Sequence, residues 1–162
     1  MFLAAGRALR TGFRPGTGKQ RKMMADEITR VEFYMGAIPN KTGEGAKVLS
    51  ALQEAGINLI GFLGYRKTAR SAEVVFFVAE KTAGVAKAAK VAGLALGPKG
   101  KGFLAVGEDR PGAVAEIAAK ISATGVNIES LHAVCAGAGR FGAVVTVAGA
   151  DYRKAAKALG LA

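Results

Sequence analysis

The chain has no tryptophan, one cysteine (Cys135), one histidine (His132) and four prolines in 162 residues. Each scarcity removes a class of protein. A single thiol permits no intramolecular disulfide, so the fold must rest on a packed core. One imidazole and one thiol do not make a protein-only zinc site of usual composition, so neither a metal nor a cofactor is expected. No Ser-His-Asp set is recognisable, and one histidine is all there is for general base work. Glu108 and Asp109 are adjacent but read as polar turn residues rather than as an acid/base pair, so the chain is expected not to be an enzyme. Long apolar runs are missing as well, because Gly, Lys or Glu breaks each one before the roughly 18 residues of a membrane span. A soluble, cytoplasmic protein with no membrane partner is expected.

What is present is hydrophobic content of 51% and a formal net charge of +11. The first figure is enough for a real core in one domain or two small ones. The second is unevenly spread. Arg7, Arg10, Arg14, Lys19, Arg21 and Lys22 stand among the first 22 residues with no acid, which leaves 17 basic against 12 acidic residues, or +5, for the remainder. Residues 1–24 therefore read as a basic leader. Arg7 and Arg10 interrupt the apolar stretch a secretory signal needs, and the expectation is a disordered tail or an over-long start, with an organelle transit peptide as the alternative.

Residues 137 to 142, Gly-Ala-Gly-Arg-Phe-Gly, fit the pattern G-x-G-x-x-G. A dinucleotide site needs those glycines to open a helix. Here Ala143-Val144-Val145-Thr146-Val147 follows, a β-branched run that reads as a strand, and residues 126 to 134 alternate apolar and polar before it. Strand, glycine turn and strand predict a β-hairpin.

A repeat organises the rest. Residues 55–59 (AGINL) resemble residues 124–128 (TGVNI), an offset of 69. The same shift superposes Asn40-Lys41-Thr42-Gly43 on Asp109-Arg110-Pro111-Gly112, and 73–78 (EVVFFV) on 142–147 (GAVVTV). Three blocks agreeing on one shift imply duplication. The first copy predicts a strand at 30–37, a helix at 44–54, strands at 57–66 and 72–79, a helix at 82–91 and a closing strand near 94–96. In the second, a strand at 102–106 leads through a Pro-bearing turn into a helix whose Val114, Ile117, Ala118 and Ile121 share one face. The hairpin follows, and then a helix at 152–159. Gly56 and Gly125 stand where left-handed C-caps are wanted. The order β-α-β-β-α-β predicts an α+β fold, two ferredoxin-like sandwiches in tandem, with the second copy or a second subunit covering or extending the sheet.

Asp109-Arg110-Pro111-Gly112, a helix of fitting length and then Gly125-Val126-Asn127-Ile128 at a strand entry resemble the signature of ACT domains, the small regulatory modules that bind amino acids. The resemblance covers residues 29–97 and 100–162. It is weaker in the first copy, where Thr42 stands at the proline position, and the second copy's last strand is short or completed by a partner. It implies a free-standing, non-catalytic sensor that binds an amino acid between ACT domains, with the turn from one and the strand from its neighbour. A homo-oligomer and a separate metabolic enzyme or regulator as reader are implied with it. The positions carried over are Asp109, Arg110, Pro111, Gly112 and Ala113 with Asn127 and Ile128, and Asn40, Lys41, Thr42, Gly43 and Glu44 with Asn58 and Leu59.

The chemistry suits that ligand. A turn entering a helix offers free N–H groups and the positive end of the helix dipole to a carboxylate, and an asparagine amide can both donate and accept. Equally, Asn40 or Asp109 could cap a helix or close an Asx-turn, Asn58 and Asn127 could satisfy loop amides, and Arg110 and Lys41 could be solvated. His132 reads as a surface or interface residue, and Cys135 as a bystander. The alternative function is RNA binding on an open sheet. It lacks the basic-aromatic stretch such sheets use, and at least one of Phe76 and Phe77 should be core.

Overall fold

The computed structural model describes residues 26–161, so the leader lies outside the described residues. The elements run β1 (Glu27–Pro39), α1 (Glu44–Glu54), β2 (Gly61–Arg66), β3 (Ser71–Ala79), α2 (Val85–Val91), β4 (Ala95–Leu96), β5 (Gly100–Glu108), α3 (Ala113–Ser122), β6 (Ile128–Gly137), β7 (Arg140–Val147) and α4 (Tyr152–Ala158). The α1 bounds are those the sequence predicts. Gly56 and Gly125 follow α1 and α3 with φ of 69° and 75°, as left-handed C-caps do. The G-x-G-x-x-G segment is a hairpin: β6 ends at Gly137, Ala138 and Gly139 turn with positive φ, and β7 begins at Arg140.

All the strands join one antiparallel sheet of order β2-β3-β1-β5-β7-β6, with β4 alongside the end of β1. The junction is β1 with β5, where Glu27–Phe33 pair with Val106–Gly100. Its register is symmetric about the repeat. Val31 faces Gly102 and Phe33 faces Gly100; subtracting 69 from the β5 numbers turns these partners into 33 and 31. A pseudo-twofold axis therefore passes through the Glu32–Lys101 pair. Beside it the buried Glu32 carboxylate accepts a hydrogen bond from Lys99 Nζ at 2.8 Å.

This junction explains why β1 is longer than its pattern suggests. Among the described residues no strand follows α4, and the open side of β5 is occupied instead by the first half of β1. The edge the sequence leaves short is completed from within the chain.

Two cores lie under the helices. Val74, Phe76 and Val78 of β3 pack with Val48, Leu52 and Ala89. Phe103 and Ala105 of β5 and Val145 of β7 pack with Ile117, Ile121 and Ala155. The alternate residues face the other way, and a third cluster of Val31, Phe77 and Val144 forms there, with Phe33, Leu63 and Leu104 against it. Phe76 and Phe77 are both fully buried, one on each face of β3.

That second face is buried because the sheet curls. The outermost strands β2 and β6 are five places apart in the sheet order. Yet the Tyr65 hydroxyl of β2 lies 2.9 Å from His132 Nε2 of β6. The right-handed twist of a long antiparallel sheet brings its ends round, and the apolar side chains of the concave face cover one another.

Candidate functional site

Both predicted turns form and are opened by glycines in the left-handed region, Gly43 at φ 88° and Gly112 at φ 87°. No side chain caps α1 or α3. Glu44 N–H and Ala113 N–H donate to Lys41 O and Arg110 O at 3.4 and 3.2 Å, the other first-turn N–H groups have no side-chain acceptor, and a β-carbon at either glycine would be strained.

The polar residues before the glycines are engaged elsewhere. Asn40 N–H donates to Arg70 O at 2.9 Å, and its side-chain amide donates to Ala69 O at 3.1 Å. Asp109 N–H donates to Gly139 O at 2.8 Å, and its carboxylate accepts from Cys135 Sγ at 3.1 Å. Arg70 and Gly139 are themselves 69 residues apart, so one backbone bond recurs in both halves. It ties each β–α turn to the hairpin end beside it. Asn40 and Asp109 therefore brace a hairpin rather than cap a helix.

Arg110 forms a bidentate pair with Glu116, at 2.5 and 2.6 Å. The hydrogen bond to Arg110 is the main cause that holds the Glu116 carboxyl below its ordinary range, and it raises the guanidinium value in turn. Glu44 pairs with Lys47 at 2.6 Å. Lys41, Thr42 and Pro111 are exposed, and Ala113 is buried as the first core residue of α3.

The strand-entry residues stand apart from these turns. Asn58 and Asn127 are exposed; Leu59 and Ile128 are half-buried against the two cores. Asn40 to Glu44 lead into α1, whereas Asn58 follows its far end, about 16 Å away along an 11-residue helix. Asp109 to Ala113 and Asn127 are separated in the same way by α3. Nor do the two turns meet. Asn40 and Asp109 each lie eight residues beyond the pseudo-twofold, in opposite directions along β1 and β5. That is a span on the order of 50 Å before coiling.

The sequence reading did not find the Tyr65–His132 contact. It joins strands in different halves, and no local pattern signals it. Two cavities flank the contact on the concave face, of about 630 Å³ and 460 Å³, and His132 lines both. Among the described residues no group of three or more His, Cys, Asp or Glu side chains could hold a metal ion, and no helix is long and apolar enough to cross a membrane.

No protein-family model matches the chain, and no curated protein matches it. Solved structures do. A protein from Bacteroides thetaiotaomicron is 20% identical with a TM-score of 0.67, over 82% of this chain and 88% of that one. The ligand-free regulatory subunit of aspartate kinase from Thermus thermophilus is 20% identical with a TM-score of 0.62, over 85% and 96%. The corresponding subunit from Thermus flavus is 21% identical with a TM-score of 0.56, over 85% and 96%. At these identities the likeness is one of fold: the chain has the mixed α/β fold, with a curled antiparallel sheet, of ACT-type regulatory subunits.

Proposed function

We propose that the protein is a non-catalytic regulator built from two ACT-like, ferredoxin-like units, residues 29–97 and 100–162, that binds a small amino acid at its β–α turns. The observation that carries this reading is the pair of uncapped, glycine-opened helix N-termini at Gly43 and Gly112, equivalent under the repeat. They occur in a chain with the fold of aspartate kinase regulatory subunits. Open N–H groups and a helix dipole suit the ligand's carboxylate. Asn127 or Asn58 of a neighbouring chain supplies the amide for its ammonium, because the asparagines and turns of one chain lie far apart. The reading therefore includes a homo-oligomer whose packing the ligand changes and which a separate metabolic enzyme or regulator senses. A ligand shifts such an equilibrium only by its differential affinity for the two states. Phe76 and Phe77, the aromatic pair on β3, are both buried and offer no ring to a base, which disfavours RNA binding there.

The test is thermal unfolding of the full chain against each common amino acid, with subunit mass measured in parallel. A ligand at about 100 times its Kd adds roughly 2.7 kcal/mol to a folded state that alone binds it. One amino acid should raise the midpoint, and Gly112→Val and Asn127→Ala should each abolish the rise. No shift with any amino acid at millimolar concentration overturns the reading.

A further inference from the structure

We propose that the concave face of the sheet holds a second small-molecule site, separate from the β–α turns, that accepts an apolar amine. The two cavities on this face are the same place in the two halves of the chain. The larger is lined by Leu63, Leu104, Val134 and Val144. The 69-residue shift turns these into His132, Met35, Tyr65 and Val75, all of which line the smaller. One half of the groove is thus an apolar well, and its counterpart carries the hydrogen-bonding groups. His132 stands in the wall of both and makes them one groove. Small-molecule sites have this composition, mostly apolar with a few converging polar groups, at volumes of about 300–1,000 Å³.

The electrostatics select the head group. The chain carries 23 basic residues, yet among the described residues none lines either cavity, whereas Glu73 and Glu129 line the smaller one. Lys67 neutralises Glu73 at 2.7 Å. Glu129 has no ion-pair partner among the described residues. An unpaired carboxylate therefore stands in the polar half of the groove, next to the apolar well, in an otherwise basic protein. Tyr65 can donate to His132 Nε2 and keep phenolic lone pairs free for an ammonium. The ligand lies across β2 and β6, the strands that the curl brings together, and so fixes how far the sheet closes.

The experiment is a titration of the full-length protein, followed through backbone amide NMR shifts, with 2-phenylethylamine, 3-phenylpropionate and 2-phenylethanol. These probes share an apolar body and differ in head charge. The amine should move the amides of Leu63, Val134 and Val144 and bind about fivefold tighter than the acid at low salt. Glu129→Gln should remove that preference without changing affinity for the alcohol, and Val134→Trp, at an exposed rim position, should block all three probes. Equal affinity for amine and acid overturns the proposal. So do shifts confined to the first turns of α1 and α3, which would assign the amine to the turn sites instead. Concentration-dependent shifts of the groove amides, with a dimer in sedimentation, would give the groove to a second copy and equally overturn it.

Discussion

Gly102 and Gly142 sit on neighbouring strands of the sheet, and the same substitution should move stability in opposite directions at the two. Gly102 of β5 faces Val31 of β1 across the junction, and on its other side β5 pairs with β7. A β-carbon at Gly102 would lie 2.8 Å from the Val145 carbonyl oxygen, 3.4 Å from Thr146 Cγ2 and 3.6 Å from Val31 Cγ2. The first contact is with backbone held in the β5–β7 ladder, so relief requires the strands to shift. Overpacking of this kind costs about 1–3 kcal/mol, and the entropy that alanine removes from the unfolded chain returns about 0.4–1 kcal/mol. The net expectation for Gly102→Ala is a loss of about 1–2 kcal/mol. With a urea slope of about 2 kcal/mol/M, its midpoint falls by about 0.5–1 M. A β-carbon at Gly142 has nothing within 4 Å, and its φ is outside the left-handed region. Only the entropy remains there, and Gly142→Ala should raise the midpoint by a few tenths of a molar unit. The assay is urea unfolding followed by circular dichroism, with the slope checked for constancy. If Gly102→Ala is as stable as the parent, or if Gly142→Ala falls as far, then β5 and β7 are not packed as described.

The curl makes Phe77 as much a core residue as Phe76 although it lies on the face away from the helices, so Phe77→Ala should cost about 3–5 kcal/mol in the same unfolding assay. A loss below 1 kcal/mol would mean that the concave face opens to solvent. The Arg110–Glu116 pair gives a pH dependence of definite sign. The Glu116 carboxyl is held below its ordinary 4.5, so the contribution is present at neutral pH and is lost as the pH falls through the depressed value. Arg110→Gln should therefore be less stable than the parent at pH 7, with the gap closing on acidification; a gap that widens in acid would contradict the pairing.

Local structure was largely legible in the sequence and the joining of the halves was not. The α1 bounds follow from apolar spacing between a turn glycine and a C-cap glycine, which are short-range causes. The helix expected at 82–91 is shorter, Val85–Val91, because Lys81 and Gly84 adopt positive φ and keep Thr82 in a turn. The strands expected from residues 57 and 126 begin later, at Gly61 and Ile128, since Ile57 and Val126 are buried before the ladders start. By contrast, Glu27 to Thr29 belong to β1 because residues about 80 positions away pair with them. Nothing in their own neighbourhood announces it. The hairpin bonds of Asn40 and Asp109 are hidden for the same reason: the residue types fit a cap, an Asx-turn or a ligand equally well, and the choice depends on where a distant hairpin end arrives.

The symmetric register has a mechanical consequence for the proposed regulation. Because β1 and β5 cross the pseudo-twofold in opposite directions, the Gly43 and Gly112 turns terminate a single strand pair at its two ends. Within one chain two routes join the turns: that pair, which is packed on both faces, and the hairpins to which the Asn40 and Asp109 backbone bonds tie them, whose outer strands β2 and β6 meet at Tyr65 and His132. Close-packed elements have low compressibility and transmit strain, but a small displacement becomes a switch only where an element has two discrete arrangements. The closest thing to such an element is the closure between β2 and β6, where one exposed hydrogen bond, Tyr65 to His132, joins strands that share no backbone ladder. That contact contributes little on its own, but opening the curl also uncovers the cluster around Val31, Phe77 and Val144, so the degree of curl is set mainly by how much of that apolar face is covered. Coupling within one chain is therefore expected to act through the degree of curl, with the concave face as the place where it can be read or set.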